Sequence, residues 1–226
     1  MRVAAIIPTF NEEGAIGRVI AALPRELLAR VIVVDGGSSD ATVAVARAAG
    51  AEVICEPRRG YGRACATGAA AASDSDVIVF LDGDFSDYPD EVPLLLGPIA
   101  RGDADLVIGS RLRGQRERGA LPSHQLFGNW LAARVLWRLY GLHVTDLGPF
   151  RAIRTGVLRD LAMEQMTYGW PVEMMAKAAR RGCHVVEVPV SYRRRLGRSK
   201  ISGTLQGSAL AACYIIGTAL RYARTR

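Results

Sequence analysis

Lysine is nearly missing from this chain: Lys177 and Lys200 are the only two among 29 basic residues. The remaining cations are arginines, whose planar fork suits bidentate recognition of phosphate better than diffuse attraction. Cysteine is sparse too. Cys55, Cys65, Cys183 and Cys213 include no closely spaced pair, which argues against a zinc site or a redox dithiol and fits reduced thiols. No apolar run reaches the ~20 residues that cross a bilayer, since the stretch LQGSALAACYIIGTAL at 205–220 is too short. The opening MRVAAIIPTFNEE breaks at Pro8, before an export signal would be complete, so a cytoplasmic protein is expected. Internal repeats and low-complexity linkers are absent, and the basic run RRRLGRSK lacks the interleaved aromatics of a single-strand nucleic-acid binder, so nucleic acid is not an expected partner.

What is present points to a folded domain with an anionic partner. The 226 residues are half hydrophobic, enough for a sizeable core, and carry a net charge of +7. VAAII (3–7) is a continuous apolar run. The stretch EEGAIGRVIAALPREL follows, with Ile16, Val19, Ile20 and Leu23 at helical spacing. RVIVVDGGSSDAT repeats the scheme: a strand over 31–34, a Gly and Ser turn, Asp40 as an expected N-cap, and a helix closed by Gly50. AEVICE, GRACATGAAAAS and DVIVFLDGD add a strand, a small-residue helix and another strand. Apolar strands alternating with helices imply an α/β fold with a mostly parallel sheet covered on both faces. Ligands of such sheets bind beyond the carboxyl ends of the strands. The polar turns PTFNEE, DGGSSD and LDGDFSD all fall at those ends and should meet in one crevice.

The third turn carries the chemistry. Asp82 and Asp84 occupy alternate positions that point the same way on an extended backbone, and Gly83 between them permits close approach of a ligand. Taken alone, this Asp-x-Asp also suits a solvated turn. Two carboxylates aimed together repel unless a cation lies between them, and a hard divalent ion such as Mg²⁺ or Mn²⁺ sharing substrate phosphates fits.

The motifs IIPTFNEE, VVDGGSSDAT, FLDGDFSDYPDE, IGSRL, DLGPFRAI, GWPVEMMAKAARRG and EVPVSYRRRLGRSKISG, in this order, resemble the family 2 glycosyltransferases of GT-A fold, specifically their dolichyl- or polyprenyl-phosphate sugar transferase branch. The resemblance covers about residues 3–205. It implies a Rossmann-like GT-A fold followed by acceptor-side amphipathic helices, a nucleotide-sugar donor, a divalent metal at the Asp-x-Asp and inversion at the anomeric carbon. It implies one domain over 1–226: a nucleotide-sugar half (1–110), an acceptor half (111–204) and a C-terminal interfacial or docking helix (205–226). Carried over by position, Pro8, Thr9, Phe10, Asn11, Glu12, Asp35, Gly37, Gly62, Arg63, Asp82 and Gly83 are the donor-binding residues. Asp82 and Asp84 would hold the metal. The chain has Gly36 where relatives commonly show a second acid, and Ser86 where they often place Gln.

The chemistry of the acceptor sorts the remaining residues. A hydroxyl acceptor must lose a proton, and Asp146 or Glu173 could take it, so these join Asp84 as expected catalytic residues. A phosphate acceptor is already ionised and needs cations, for which Arg111, Arg194, Arg195, Ser199 and Lys200 are expected, with Arg193 and Arg198 nearby. The expected reaction is therefore hexosyl transfer, glucose or mannose, from a UDP- or GDP-sugar to a polyprenyl or dolichyl phosphate. The alternative acceptor is a hydroxyl of a glycan, lipid or small molecule. A processive synthase is disfavoured by the missing Gln-x-x-Arg-Trp signature, and a sugar nucleotidyltransferase by the missing Gly-rich, Arg-containing loop after the first strand. A binding module without catalysis would have little reason to keep donor, metal and acceptor features together. LFGNWLAARVLWRLYGL (126–142), with Leu126, Trp130, Ala133, Trp137 and Tyr140 near one helical face and Arg134 and Arg138 between, suits either core packing or the lipid headgroup level. The expectation is a peripheral protein on the cytosolic membrane face.

Overall fold

The computed structural model describes residues 1–197 and 217–223. Strands β1 (Val3–Thr9), β2 (Arg30–Asp35), β3 (Glu52–Cys55), β4 (Val77–Phe80), β5 (Leu106–Ser110), β6 (Arg151–Arg154) and β7 (Val185–Pro189) form one sheet in the spatial order β3-β2-β1-β4-β6-β5-β7. Neighbours are parallel except at β6, which runs antiparallel to both β4 and β5. The fold is thus the expected α/β class with a mostly parallel sheet.

Period-two alternation sends each strand's residues into two cores. Ala4, Ile6, Ile32, Val34, Ile78 and Phe80 face one, while Val3, Ala5, Ile7, Val31, Val77 and Val79 face the other. Helices α1 (Ile16–Ala22), α2 (Thr42–Ala48) and α4 (Val92–Arg101) cover the second face through Ile16, Ala46 and Leu95. Helices α3 (Tyr61–Ala71), α5 (Ser123–Tyr140), α6 (Thr155–Leu161) and α7 (Trp170–Arg180) cover the first through Cys65, Leu136, Leu158 and Met174.

Local details differ from the sequence reading for identifiable reasons. β1 runs two residues past Ile7, because Pro8 and Thr9 still pair with Val34 and Asp35. α1 stops at Ala22, since the residue before a proline is driven out of the helical region and Leu23 is extended, with ψ 138°. Asp40 is not the N-cap of α2. That position is Ala41, and Asp40 Oδ1 instead accepts the Thr42 N–H at 3.0 Å. Gly50 does close α2, with φ +80°. In α5 the expected stripe divides: Ala133 is buried with Ala132 and Leu136, whereas Trp130 faces outward beside Phe127.

The basic segment 190–197 lies across the turn that follows β4. Arg193 N–H donates to Ser86 O at 3.0 Å and Leu196 N–H to Asp84 O at 2.9 Å. On its other side Tyr192 N–H reaches Gln115 O at 2.8 Å, and Glu117 N–H reaches Tyr192 O at 2.9 Å.

Candidate active site

A crevice of about 320 Å³ opens beyond the carboxyl ends of β1 and β4, a volume at the lower end for a small-molecule pocket. Its floor and one wall come from Pro8, Thr9 and Phe10 at the end of β1 and from Asp82, Gly83 and Asp84 after β4. Gly83 is required there: a Cβ would stand 2.6 Å from Thr9 Cγ2. Glu12, Gly36 and Arg195 complete that side.

The two polar turns beside it brace each other. Asn11 takes a left-handed backbone (φ +54°), donates its N–H to Ser38 Oγ at 2.7 Å and accepts the Ser39 N–H on Oδ1 at 2.8 Å. Asp35 Oδ2 accepts the N–H groups of Gly37 and Ser38 at 3.0 and 2.8 Å, and its Oδ1 accepts the Ser38 hydroxyl at 2.5 Å. Asn11, Asp35 and Gly37 therefore shape the wall of the crevice and do not line it.

The acidic turn holds a third carboxyl group beside the Asp-x-Asp. Asp84 Oδ1 accepts Ser86 N–H at 2.9 Å and Ser86 Oγ–H at 2.5 Å, so Ser86 orients this carboxylate. Asp87, missed in the sequence reading although it lies in the quoted motif, is fully buried, and its Oδ1 has no hydrogen-bond partner. Burial first, and Asp84 next, push Asp87 up to about 7. Burial, then Asp84 and Asp87, also raise Asp82 well above the usual carboxylate range. Crowded carboxylates of this kind fit a hard divalent cation. Among the described residues no three His, Cys, Asp or Glu side chains converge to hold a metal by themselves. Asp82 and Asp84 would share it with donor phosphates and water.

Arg195 enters the same crevice. Its Nη1 lies 3.3 Å from Asp84 Oδ2, its Nη2 donates to Glu12 Oε1 at 3.0 Å, and its buried Nε has no partner. Arg193 clamps the acidic turn from outside, over the rings of Phe85 and Tyr88 and donating from Nε to Phe85 O at 2.7 Å. Arg194 points away and donates to Arg118 O at 2.7 Å.

Among the described residues, Arg111, Asp146 and Glu173 do not line the crevice. Arg111 and Asp146 form a bidentate pair, Nε to Oδ2 at 2.8 Å and Nη2 to Oδ1 at 2.7 Å. Asp146 is 0% exposed and accepts from Asn129 Nδ2 as well. Burial alone would raise its pKa, but the attraction of and hydrogen bonds from Arg111 outweigh this and hold it below the usual carboxylate range. Neither partner is among the residues that line the crevice. Glu173 is also 0% exposed, enclosed by the N–H groups of Glu164 and Gln165, by Lys177 and by the Tyr222 hydroxyl. Both expected bases are buried and hydrogen-bonded outside the crevice lining. Gly62 and Arg63 belong to the first turn of α3, behind the lining residues Gly60 and Tyr61. Ser199 and Lys200, like Arg198 and the stretch 205–216, lie outside the described residues.

Sequence reading missed Arg59 and Tyr168. Arg59 stacks 4.6 Å over the Phe10 ring at the crevice mouth, and Tyr168 lines the opposite wall. Arg59 stood beside Arg58 with no motif around it. Glu56 accepts Arg58 Nε at 3.0 Å and Thr67 Oγ1 at 2.7 Å and so fastens the loop.

Residues 4–162 match the family described as Glycosyl transferase family 2. The chain belongs to glycosyltransferase family 2. Among curated proteins this glycosyltransferase is 34% identical to the undecaprenyl-phosphate mannosyltransferase of Micrococcus luteus over 239 residues, covering 98% of this chain and 96% of that protein. It is 37% identical to the dolichyl-phosphate hexose transferase of Haloferax volcanii over 212 residues, 92% and 90% of the two chains. An uncharacterized glycosyltransferase of Mycobacterium tuberculosis is 37% identical over 217 residues, 92% and 94% of the two chains. Among solved structures, glucosyl-3-phosphoglycerate synthase from Mycobacterium tuberculosis in complex with Mn²⁺, UDP and glucosyl-3-phosphoglycerate superposes with TM-score 0.79 at 25% identity, over 100% of this chain and 81% of that one. The glycosyltransferase thus has the GT-A fold, and no helix among its described residues is long and apolar enough to cross a membrane.

Proposed function

We propose that this glycosyltransferase moves a hexose, glucose or mannose, from a UDP- or GDP-sugar to a polyprenyl or dolichyl phosphate, with inversion, while resting on the cytosolic face of a membrane. The observation that carries the acceptor assignment is the withdrawal of both expected bases. Asp146 and Glu173 are buried and fully engaged, whereas a cation, Arg195, stands at the donor carboxylates. A phosphate monoester needs a cation and no base to attack; a hydroxyl needs both orientation and proton removal. The names of the Micrococcus and Haloferax relatives support the same acceptor class.

In this reading Phe10, Arg59 and the wall from Thr9 to Glu12 seat the nucleotide. Asp82 and Asp84 would hold a divalent ion, Mg²⁺ or Mn²⁺, which offsets charge on the leaving diphosphate when bound. Arg195 would turn from Glu12 and Asp84 toward the incoming phosphate. A second reading, transfer to a hydroxyl of a small phosphorylated acid, draws on the structural neighbour solved with UDP-glucose and phosphoglyceric acid. A transfer screen separates the two: UDP- and GDP-sugars with Mn²⁺, offered a short polyprenyl phosphate or phosphoglyceric acid. Product on the lipid phosphate alone is expected. Product on phosphoglyceric acid alone would replace the lipid assignment.

The membrane face is assigned to the outer side of α5. Phe127 and Trp130 are 63% and 57% exposed and stack at 5.8 Å, with Arg134 and Arg138 further along the helix, both over Trp137. Aromatic rings beside arginines match an anionic headgroup layer. Sedimentation with anionic vesicles should fall as salt rises, through screening. Phe127→Ser with Trp130→Ser should weaken it by at least about tenfold, since each ring withdrawn from the interface forfeits on the order of 1.5–3 kcal/mol. Vesicle binding indifferent to both changes would move the membrane face elsewhere.

A further inference from the structure

Glu173 is a fully buried carboxylate outside the crevice lining, and the reaction as described makes no use of it. Its Oε1 accepts the Glu164 N–H at 2.8 Å and the Tyr222 hydroxyl at 2.7 Å, and lies 2.7 Å from Lys177 Nζ. Its Oε2 accepts the Gln165 N–H at 2.7 Å. Lys177 ties down the start of the same loop by donating to Ala162 O at 2.7 Å, where Ala162 is left-handed. Four donors on one buried carboxylate, two of them backbone amides, are the pattern of a group that fixes a loop.

That loop is the outer wall of the donor crevice. Met166 O accepts the Arg63 N–H at 3.0 Å and Thr167 O the Gly62 N–H at 3.2 Å, so the loop holds the first turn of α3. The approach is so close that a Cβ on Gly60 would meet Met166 O and one on Gly62 would meet Gln165 O. Gly60, Tyr61 and Tyr168 then face the crevice. Behind the loop sits the helical segment 217–223. Thr218, Ala219 and Tyr222 are buried, Tyr140 Oη donates to Ala219 O, and Arg180 Nη1 donates to Tyr222 O at 2.5 Å. The segment 217–223 thus reaches the donor wall through the Tyr222 hydroxyl, which donates to Glu173 at 2.7 Å and lies 3.3 Å from Glu164 Oε2, and through Arg221, 3.3 Å from the same Glu164 oxygen.

We propose that Glu173 is a positioning residue for donor binding, and that the C-terminal helical segment completes it through Tyr222. The proposal rests on the assignment of the crevice to a nucleotide sugar. It gives residues 217–223 a role inside the enzyme, in addition to any contact with lipid. The test measures UDP and GDP binding with Mn²⁺ by calorimetry on the full chain, together with kcat and donor KM, for Glu173→Gln and Tyr222→Phe. Glu173→Gln should raise the nucleotide Kd and donor KM about tenfold and Tyr222→Phe about threefold, with kcat and acceptor KM within about twofold of wild type. A general base would instead lower kcat and leave nucleotide affinity intact, which overturns the proposal. So does a lowered melting temperature with unchanged Kd. If Glu173→Gln does not fold, Tyr222→Phe decides alone, and wild-type affinity in it overturns the proposal. A wild-type protein that binds neither UDP nor GDP removes the donor assignment itself, a result distinct from unchanged variants.

Discussion

Asp84→Asn is expected to lower transfer by at least about a hundredfold, roughly 3 kcal/mol of lost transition-state stabilisation. The amide is the same size and can still accept the Ser86 N–H and hydroxyl on one side, so the turn should persist. What disappears is the negative charge that would face a divalent ion and the developing charge on the leaving diphosphate. The fall should appear in kcat at saturating donor. Mn²⁺ binding, followed separately by calorimetry or electron paramagnetic resonance without sugar donor, should weaken in parallel. Wild-type rate and wild-type metal response in Asp84→Asn would remove the Asp-x-Asp from the reaction.

Arg195→Gln is expected to divide two properties that usually fall together. In the structure the guanidinium competes for the very oxygen a metal would use, Asp84 Oδ2 at 3.3 Å, and also holds Glu12. Its removal leaves neighbouring carboxylates uncompensated, so Mn²⁺ should bind several-fold more tightly in the absence of acceptor, on the order of 1 kcal/mol for a partly exposed pair. Under the proposed lipid-phosphate acceptor, transfer should nonetheless drop about a hundredfold, through a raised acceptor KM or a lowered kcat, because the cation proposed to face the nucleophile is gone. The expectation from chain position alone was that this arginine belonged to an acceptor half, remote from the donor. The fold brings it to Glu12, 183 residues away, and donor affinity should change with it. Equal weakening of metal and acceptor binding would assign Arg195 to the donor side only.

The parts legible in the sequence were those with short-range signals. Continuous apolar runs announced β1, β2 and β4, and alternation with helices announced their parallel packing. The turns after β1 and β4 carried Pro8, Phe10, Glu12, Asp82 and Asp84 to the crevice as expected, since a strand exit fixes where its next residues go. Less legible were side chains whose partners are distant in sequence. Nothing local to Asp146 indicates that Arg111, 35 residues earlier, takes both its oxygens. Glu173 sits in the first turn of an amphipathic helix, and nothing local indicates that Glu164, Gln165 and Tyr222 converge on it. Asp87 carries no local signal that sets it apart from the rest of the turn LDGDFSD, and only the fold shows that it is buried.

Three consecutive arginines, 193 to 195, look interchangeable as letters, yet the segment that carries them is pinned by its main chain at Ser86 and Asp84 on one side and at Gln115 and Glu117 on the other. Extended backbone alternates its side chains, so parity decides their fates: the odd-numbered pair meets the acidic turn, and Arg194 meets Arg118 O. A one-residue slip of this segment would conserve composition, charge and every motif letter, yet it would bring Arg194 to the crevice and turn both working arginines outward. Spacing from Val190 to Leu196 is therefore under a stricter constraint than the identity of its middle arginine, and Arg194→Lys should be far better tolerated than deletion of a single residue anywhere in Val190–Tyr192.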